Sequence, residues 1–367
     1  MNAVPFLDLG AAYRELQPEL EVAVLRALRS GWYIGGSEVE EFERAYADFC
    51  ETAHCVGVAN GLDALALSLR ALEVVPGDEV IVPSNTFIAT WLAVSQCGAT
   101  IVPVEPDAET GNIDVGKIEA AITPQTRVIA PVHLYGQPAD LDPILDLARG
   151  RGIYVLEDAA QAQGARYKGR RIGGHGDLVA WSFYPGKNLG ALGDAGAVTT
   201  QNAVLAEKIR MLRNYGSKEK YVHELAGFNS RLDPIQAAAL GVKLKHLDEW
   251  NQRRKVLAAR YLTGLADSGI GLPKVPDWAD PVWHLFVIRT SGRDALMKAL
   301  GNAGVTTQIH YPRPPHLQQA YSHVYPATAY PVANTLASQV LSLPIGPQMS
   351  LDEVDRVIDC TAGWARR

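Results

Sequence analysis

The chain has 367 residues, of which 47% are hydrophobic and 20% are charged, and its formal net charge is −6 at pH 7. This composition is typical of a globular protein that buries one large core and a smaller one, so two domains are the default expectation. The acidic balance argues against nucleic acid or an anionic membrane surface as a partner.

The N-terminal stretch MNAVPFLDLGAAYRELQPEL has no basic segment followed by an apolar core, and no run of about 18 apolar residues follows it. We therefore expect a cytoplasmic protein without a membrane anchor. The cysteines lack the paired spacing of metal ligands, so we expect neither a disulfide framework nor a bound metal. They are Cys50, Cys55, Cys97 and Cys360.

Short apolar runs alternate with helical patterns along the first half of the chain. The runs are rich in β-branched residues and nearly continuous in apolar character, which is typical of strands covered on both faces. They lie at 54–59, 79–83, 100–106, 127–134, 152–158 and 178–183. Helical patterns at 62–73 and 141–150 separate them, and Ser37 with Glu40 forms a capping box that predicts a helix over 37–49. The alternation predicts an α/β fold with a mostly parallel sheet, whose ligands bind at the carboxyl ends of the strands.

A long helical pattern from about Pro234 to Leu265 follows the sheet region, and we expect it to link two domains. We predict a large α/β domain with an N-terminal arm over 1–240 and a smaller C-terminal α+β domain over 241–367. The smaller domain is predicted from an apolar run at 282–290, a helical pattern at 293–304, a second run at 306–311 and a final helix at 351–365.

Two residues at the ends of predicted strands have the chemistry of a cofactor site. Asp158 ends the strand 152–158, where a carboxylate is suited to hold a proton on a heterocyclic nitrogen. Lys187 lies just past the next strand, in SFYPGKNLGALGDAGAV (182–198), and a desolvated amine there can form a Schiff base. Together they suggest pyridoxal phosphate (PLP), whose ring nitrogen pairs with a carboxylate and whose aldehyde reacts with a lysine. A solvated surface lysine is the alternative.

A phosphate site is predicted where the strand 54–59 runs through Asn60 and Gly61 into a helix. The amides of Gly61 and Leu62 lie at the helix N-terminus, which favours an anion, and Ser182 can add a hydroxyl. An ordinary strand-to-helix turn remains equally open from this segment alone. Neither a GxxxxGK[ST] loop nor a GxGxxG fingerprint occurs, which argues against a nucleoside triphosphatase or a dinucleotide enzyme.

An ordered set of motifs resembles the DegT/StrS family of PLP-dependent sugar aminotransferases over nearly the whole chain. The motifs are NGLDALAL, VPSNTFIATWLAV, VHLYGQPADLDPI, LEDAAQAQGARYKG, SFYPGKNLGALGDAGAV, RNYGS, GFNSRLDPIQAA and QIHYPRPPHLQQAY. The resemblance implies the fold-type I architecture of PLP-dependent transferases and a homodimer with shared active sites.

The resemblance also implies roles for individual residues. Lys187 matches the Schiff-base lysine and proton shuttle, Asp158 the partner of the ring nitrogen, Gln161 the residue near the ring hydroxyl, and Phe87 the aromatic that stacks on the ring. The matches to the phosphate site are Gly61, Leu62, Ser182 and, from the second subunit, Asn229.

The residues around Lys187 and the segment HYPRPPHLQ resemble family members that act at C3 of deoxythymidine-diphosphate (dTDP) 3-keto-6-deoxysugars. The expected reaction transfers the amino group of L-glutamate to C3, by way of pyridoxamine phosphate (PMP), and releases 2-oxoglutarate. The substrate-side candidates are Tyr184, His310 and Tyr311, with Tyr33 and Arg231 as weaker ones. Each has a packing or capping role as its alternative.

Other functions remain open from the sequence. A nucleotide-linked 3-keto hexuronic acid or a 4-keto sugar is an alternative substrate, and a PLP-binding regulatory protein without turnover is an alternative of another class. A related sugar dehydratase is disfavoured, because those proteins replace the Schiff-base lysine, commonly with histidine. The C4 configuration of the sugar stays open as well.

Overall fold

The computed structural model describes residues 3–366. Its helices are α1 Leu9–Ser30, α2 Ser37–Phe49, α3 Gly61–Ala71, α4 Ile88–Gln96, α5 Val115–Ala121, α6 Leu141–Arg149, α7 Ala203–Leu212, α8 Pro234–Leu244, α9 Leu247–Leu265, α10 Arg293–Asn302, α11 Pro331–Gln339 and α12 Leu351–Ala365. Its strands are β1 His54–Val58, β2 Glu79–Pro83, β3 Thr100–Val104, β4 Thr126–Ile129, β5 Tyr154–Asp158, β6 Arg166–Tyr167, β7 Arg170–Arg171, β8 Leu178–Ser182, β9 Gly196–Thr200, β10 Ser217–Glu219, β11 Val222–His223, β12 Ala279–Asp280, β13 Phe286–Arg289 and β14 Val340–Leu343.

The central sheet has seven strands in the order β1-β9-β8-β5-β4-β2-β3. Strand β9 is antiparallel to both β1 and β8, and the remaining neighbouring pairs are parallel. The carboxyl ends of the parallel strands therefore meet at one edge. The prediction of an α/β fold with a mostly parallel central sheet is confirmed.

Successive residues of the inner strands pack into different cores. Val80 and Val82 of β2 belong to a hydrophobic cluster with α3 and α4, whereas Ile81 belongs to a cluster with α5 and α6. Because side chains alternate between the faces of a strand, a run that is apolar throughout needs helices on both faces. This is the reason the sequence shows continuous rather than alternating apolar character.

In the central sheet the predicted strands agree with the observed ones to within two residues, except at one end. The run 127–134 forms a strand only to Ile129, after which the chain turns into a short 3-10 helix at Leu134–Gly136. Pro131 has no N–H to donate, although its carbonyl accepts from the N–H of Asp158 at 2.9 Å. Neither helix α1 nor the antiparallel strand β9 was predicted.

Two further helix predictions need correction. The helix over 37–49 is present, but its N-cap is Gly36 and no side chain caps it, so the proposed capping box of Ser37 and Glu40 is wrong. The pattern expected as one helix over 234–265 forms α8 and α9, which are interrupted at Lys245 and His246.

The C-terminal part has its own hydrophobic cluster, built on α9, α10, α12 and the β13–β14 pair. The predicted run 306–311 forms no strand, and within it only Gln308 pairs, as an isolated bridge to Ser342. The buried members of this cluster are Val4 from the N-terminal segment and residues between Leu257 and Ala362. The division into 1–240 and 241–367 stays a prediction, with its boundary inside α8.

None of the helices in residues 3–366 is both long and apolar enough to cross a membrane.

Candidate active site

Asp158 is the last residue of β5 and lies at the carboxyl edge of the sheet, where it is 5% exposed. Its carboxylate accepts hydrogen bonds from the Thr90 hydroxyl at 2.8 Å and from the Ala160 N–H at 3.2 Å. Burial raises the pKa of Asp158, and these donors together with the charge of Lys187 oppose the rise. The carboxylate is thus buried without a hydrogen-bonded cation.

The preceding residue, Glu157, has a separate set of partners. It is fully buried, and its carboxylate contacts Nε2 of His133 at 2.9 Å and accepts from the Gly176 N–H at 2.6 Å. Hydrogen bonds to the charged form hold the pKa of Glu157 below its usual value despite its burial. The two carboxylates therefore have separate partners, as the alternation of side chains along a strand predicts.

Lys187 lies in the loop that follows β8, and its N–H donates to the carbonyl of Tyr184 at 2.8 Å. Burial lowers the pKa of Lys187 to about 8, and the charge of Asp158 opposes the shift. The structure therefore brings the two residues of the predicted pair close enough for their charges to interact. An amine with this pKa can both accept and return a proton near neutral pH.

Polar residues of the surrounding elements fix the loop that carries Lys187. Nδ2 of Asn188 donates to Oδ1 of Asn251 at 2.8 Å and to the carbonyl of Val282 at 2.9 Å. The ammonium of Lys243, on α8, donates to the carbonyl of Gly190 at 2.6 Å. These contacts anchor the backbone on the C-terminal side of Lys187.

His284 is a further polar residue near the Lys187 amine. Its Nδ1 lies 3.2 Å from Oδ1 of Asn188. That oxygen must accept, because the Asn188 amide nitrogen already donates to two acceptors, so Nδ1 carries the proton of the neutral ring and Nε2 is an acceptor. Burial and the charges of Lys187, Arg254 and His310 lower the pKa of His284, which keeps the ring neutral.

Gln161 links the side chain of Tyr311 to the backbone of Tyr135 at the same edge. Its Nε2 donates to the hydroxyl of Tyr311 at 3.0 Å, and its Oε1 accepts from the N–H of Tyr135 at 2.6 Å. The hydroxyl of Tyr135 donates in turn to the carbonyl of His310. The ring of Phe87, at the start of α4, lies 5.4 Å from that of Tyr311. Four of the predicted site residues, Phe87, Gln161, His310 and Tyr311, therefore lie together.

His310 and Tyr184, two of the predicted substrate contacts, differ in exposure. Nδ1 of His310 lies 2.8 Å from the Ser342 hydroxyl, and burial together with the charge of Lys187 lowers the pKa of His310 to about 4. Tyr184, by contrast, is 60% exposed. His310 is thus a neutral, half-buried imidazole, whereas Tyr184 presents its ring to solvent.

The predicted phosphate site is a close approach of α3 to the end of β8. The Asn60 side chain caps α3 by accepting from the N–H of Asp63 at 2.8 Å. The N–H groups of Gly61 and Leu62, the first residues of α3, have no acceptor within the helix. A Cβ on Gly61 would lie 2.6 Å from Cβ of Ser182, so only glycine permits this approach.

Three predicted residues lie elsewhere in the chain. Tyr33 is exposed after α1, with its hydroxyl donating to the Leu28 carbonyl. Arg231 donates a hydrogen bond to Oδ1 of Asn214 at 2.9 Å and lines a cavity of about 250 Å³. Ile34, the residue after Tyr33, lines the same cavity. Asn229 pairs with Asn214 in an isolated bridge and lines a cavity beside α3. No hydrogen bond or ring contact within residues 3–366 joins these three to Lys187.

Sequence reasoning missed several residues that contact this site. Thr90, which binds Asp158, lies three positions after Phe87 and so on the same face of α4. His284 is a polar residue flanked on both sides by apolar ones within the run 282–290, and Asn188 directly follows Lys187. A polar residue within an apolar run or next to a functional residue was the available signal in both cases.

These observations fit PLP. A buried carboxylate without a hydrogen-bonded cation, a lysine whose pKa is lowered, and free N–H groups at the start of a helix are suited to its ring nitrogen, aldehyde and phosphate. Fold and site together define a PLP-dependent aminotransferase. The chain belongs to the DegT/DnrJ/EryC1/StrS aminotransferase family, whose model matches residues 15–362.

Several relatives of similar length are similar to this chain over almost its whole length. The erythromycin biosynthesis sensory transduction protein EryC1 of Saccharopolyspora erythraea is 58% identical over 97% of this chain and 98% of its own. The dTDP-3-amino-3,4,6-trideoxy-alpha-D-glucose transaminase of Streptomyces venezuelae is 56% identical over 99% and 97%. The dTDP-3-amino-3,6-dideoxy-alpha-D-galactopyranose transaminase of Aneurinibacillus thermoaerophilus is 52% identical over 97% and 98%. The chain is therefore a sugar aminotransferase.

Solved structures agree with this assignment. DesV of S. venezuelae, crystallised in complex with a ketimine intermediate, superposes with a TM-score of 0.99 at 56% identity and full coverage of both chains. NtdA of Bacillus subtilis, crystallised with bound PMP, superposes with a TM-score of 0.94 at 34% identity over 100% of this chain and 86% of its own. Solved structures similar to this chain therefore include PLP and PMP forms of the cofactor.

Proposed function

We propose that the protein transfers the amino group of L-glutamate to C3 of a dTDP-3-keto-6-deoxyhexose, giving a dTDP-3-amino-3,6-dideoxyhexose and 2-oxoglutarate. The observation that carries the proposal is the buried pair of Lys187 and Asp158 at the carboxyl edge of the sheet. The substrate class is supported by two relatives whose names share dTDP, an amino group at C3 and a deoxygenated C6, and differ at C4.

Each side of the cofactor has a residue proposed to hold it. Lys187 would bind the aldehyde carbon, Asp158 the ring nitrogen and Gln161 the ring hydroxyl, while Phe87 would cover one face of the ring. The N–H groups of Gly61 and Leu62, the hydroxyl of Ser182 and, from a second subunit, Asn229 would hold the phosphate. When bound, PLP supplies an electron-accepting ring that stabilises negative charge at the substrate carbon.

The protein's own contribution to the chemistry is proton transfer by Lys187. Its pKa of about 8 allows the amine to remove the α-proton of glutamate and, in the second half-reaction, to deliver a proton to C3 of the sugar. Asp158 stabilises positive charge on the ring nitrogen, because two opposite charges interact strongly where water is excluded. The two half-reactions share one site, so we expect ping-pong kinetics.

Substrate contacts are proposed for Tyr184, His310 and Tyr311. The exposed ring of Tyr184 can pack against the sugar, while a neutral His310 and the Tyr311 hydroxyl can exchange hydrogen bonds with its hydroxyls. Because burial keeps His310 uncharged, it can act as a donor or an acceptor without repelling the Lys187 ammonium.

A homodimer with shared sites is part of the proposal. Large apolar side chains of α1 and the segment after it are exposed, including Trp32 at 64% and Ile34 at 50%. Exposed apolar surface of this kind marks an interface. Tyr33, Asn229 and Arg231 lie outside the Lys187 site of their own chain, and we assign Asn229, and as weaker candidates Tyr33 and Arg231, to the site of the partner subunit.

One relative supports a second candidate function. EryC1 is named as a sensory transduction protein and is 58% identical to this chain, so a PLP-binding regulatory protein without turnover is the alternative. Regulation requires neither a lysine with a lowered pKa nor a path for proton transfer. The geometry of Lys187 therefore favours turnover.

The decisive experiment mixes the purified holoprotein with L-glutamate and records its visible absorption. Conversion from the PLP band to the PMP band is expected, and an unchanged spectrum supports the regulatory alternative. Adding the gluco and galacto C4 epimers of dTDP-3-keto-6-deoxyhexose then restores the PLP band with the true acceptor. Restoration only by a nucleotide-linked 3-keto hexuronic acid or a 4-keto sugar would redirect the assignment.

A further inference from the structure

A second feature near Lys187 is a cavity of about 350 Å³ between the Lys187 loop, the start of α1 and helices α8 and α9. We call it the arm cavity. The residues that matter for its chemistry are Asp8, Lys187, Lys243 and Arg254. None of the roles proposed above uses this space.

Lys243 is a buried cation on the wall of the arm cavity. It is 9% exposed, and among the described residues its ammonium binds only the carbonyl of Gly190. An ammonium has three N–H donors, so two remain without a protein acceptor. Burial lowers the pKa of Lys243 to about 8, and no acidic group opposes the shift.

Arg254 is a second buried cation on the same wall, at 3% exposed. Its Nη1 donates to the carbonyls of Trp283 at 3.2 Å and Ile345 at 3.1 Å, and more weakly to that of His284. No carboxylate of residues 3–366 pairs with it, and burial lowers its pKa to about 10. Backbone carbonyls therefore accept hydrogen bonds from this charge, but like Lys243 it has no counter-ion within residues 3–366.

The acidic residues near the cavity do not balance these charges. Asp8 is the one acid on the described wall, and its half-exposed carboxylate already binds Arg14 at 2.7 Å and caps α1 through the Ala11 N–H. Glu15 lies behind the wall and pairs with Arg253. The interior of the cavity is therefore cationic.

A buried charge costs several kcal/mol unless a counter-ion or hydrogen bonds compensate it, and buried cations in proteins are ordinarily paired. Two such cations beside one open space indicate that an anion occupies the space during function. The volume lies at the low end of the roughly 300–1,000 Å³ of small-molecule sites. It suits a small carboxylate and excludes a nucleotide-linked sugar.

We propose that the arm cavity binds the side-chain carboxylate of the amino donor, and of the keto acid it becomes, with Lys243 as the primary contact. The inference rests on the proposed function, since it requires an acidic donor whose reacting carbon lies at Lys187. It explains how one site accepts two unlike substrates: the donor extends a few bonds from Lys187 into the arm cavity, and the sugar enters from the exposed side near Tyr184.

The first test measures binding of glutarate, an unreactive dicarboxylate, to the holoprotein by calorimetry. The variants are Lys243→Gln, which removes the charge, Lys243→Arg, which keeps it, and Lys245→Gln as the matched control. Lys245 lies two residues away and is exposed. We expect Lys243→Gln to weaken binding roughly tenfold or more. Lys243→Arg should recover most of the affinity, and Lys245→Gln should leave it unchanged.

The second test separates recognition of the donor from a general effect on the Lys187 loop. The rate of PMP formation is compared for L-glutamate and L-norvaline, which has a methyl group in place of the side-chain carboxylate. Loss of the Lys243 charge should reduce the glutamate-to-norvaline ratio of kcat/KM by roughly tenfold, mainly through the KM for glutamate. A role that only supports the Gly190 carbonyl would lower both rates alike and leave the ratio unchanged.

The outcomes separate this inference from the proposed function. Failure of the wild-type protein to form PMP from glutamate contradicts the proposed function, and the glutarate measurement then still decides whether the cavity is a carboxylate site. Glutarate binding that is absent, or equal in wild type and Lys243→Gln, overturns the inference even if transamination proceeds. Circular dichroism and the thermal midpoint establish that each variant is folded.

Discussion

The residues assigned to the site form two regions. The regions differ in how many of their side chains have hydrogen-bonding or packing partners within one chain. The carboxyl-edge cluster, formed by Phe87, Asp158, Gln161, Lys187 and Tyr311, is connected through hydrogen bonds, ring contacts and charge interactions within the chain. The polar groups with defined roles are already oriented there. Such a site is organised before any ligand arrives.

The arm-and-loop surface, formed by Trp32, Tyr33, Ile34, Asn229 and Arg231, has the opposite character. The side chains of Trp32, Tyr33 and Ile34 are each at least half exposed, and Nε of Arg231 is buried without a hydrogen-bond partner in residues 3–366. A buried donor without an acceptor and a row of exposed apolar side chains both cost free energy in an isolated chain. The contrast supports the proposal that contacts within one chain organise the first region, whereas a second subunit covers the second.

The largest effect is expected from Lys187→Ala. The variant should fold and retain cofactor non-covalently, because the other groups proposed to hold PLP are unchanged, but transamination should fall by roughly 10²–10⁴-fold or more. Borohydride reduction followed by peptide mass analysis should find a pyridoxyl adduct at residue 187 in the wild type only. Substantial residual turnover would show that another base carries the proton.

A smaller but still large loss is expected from Asp158→Asn. The amide keeps the shape of the carboxylate and can still contact Thr90, but it cannot stabilise positive charge on the cofactor ring. The rate of PMP formation should fall at least tenfold, which corresponds to about 1.4 kcal/mol of barrier. A smaller loss in single-turnover measurements would contradict the role assigned to the charge.

The division between the regions can be tested directly by mixing two impaired variants, Asn229→Ala and Lys187→Ala. Asn229→Ala should lower activity by roughly tenfold, the effect of one lost hydrogen bond to a charged group. If Asn229 serves the partner's site, a heterodimer with Lys187→Ala contains one intact site, and mixing and reassociating the two variants should restore activity. No gain on mixing would assign Asn229 to its own chain.

The two regions also differ in how far the sequence alone predicted them. The positions of Asp158 and Lys187 followed from where apolar runs end, because the carboxyl ends of parallel strands share one edge. The cluster around them joins residues far apart in sequence, such as Gln161 with Tyr311 and Asn188 with Asn251. Local periodicity contains no information on such pairs.

The errors in the fold have local physical reasons. Strand β9 was missed because Gly196–Thr200 is short and directly follows a glycine-rich stretch, and because β9 pairs with both β1 and β8, which are distant contacts that local pattern does not contain. The capping-box motif was assigned to Ser37 and Glu40, whereas the structure forms one at Ser350 and Glu353. The motif is short, and the backbone before the helix decides whether the serine lies at the N-cap.

The smallest expected effect is a shift in the pH dependence of PLP uptake, which reports the protonation of Lys187. It tests whether burial within one chain already lowers the pKa of this amine. Imine formation requires the neutral amine, and burial lowers the pKa of Lys187 to about 8, so the rate at which apoprotein takes up PLP should rise with pH to a midpoint near 8. A midpoint near 10.5, the value of a solvated lysine, would show that the amine is not desolvated.

Asp158 raises the pKa of Lys187, since a negative charge favours the ammonium form. The Asp158→Asn variant should therefore shift the midpoint below that of the wild type, whereas a change at a distant carboxylate such as Asp352→Asn should leave it in place. Stopped-flow absorbance of PLP uptake between pH 6 and 10 measures all three proteins, and an upward shift in Asp158→Asn would contradict the charge coupling on which the site depends.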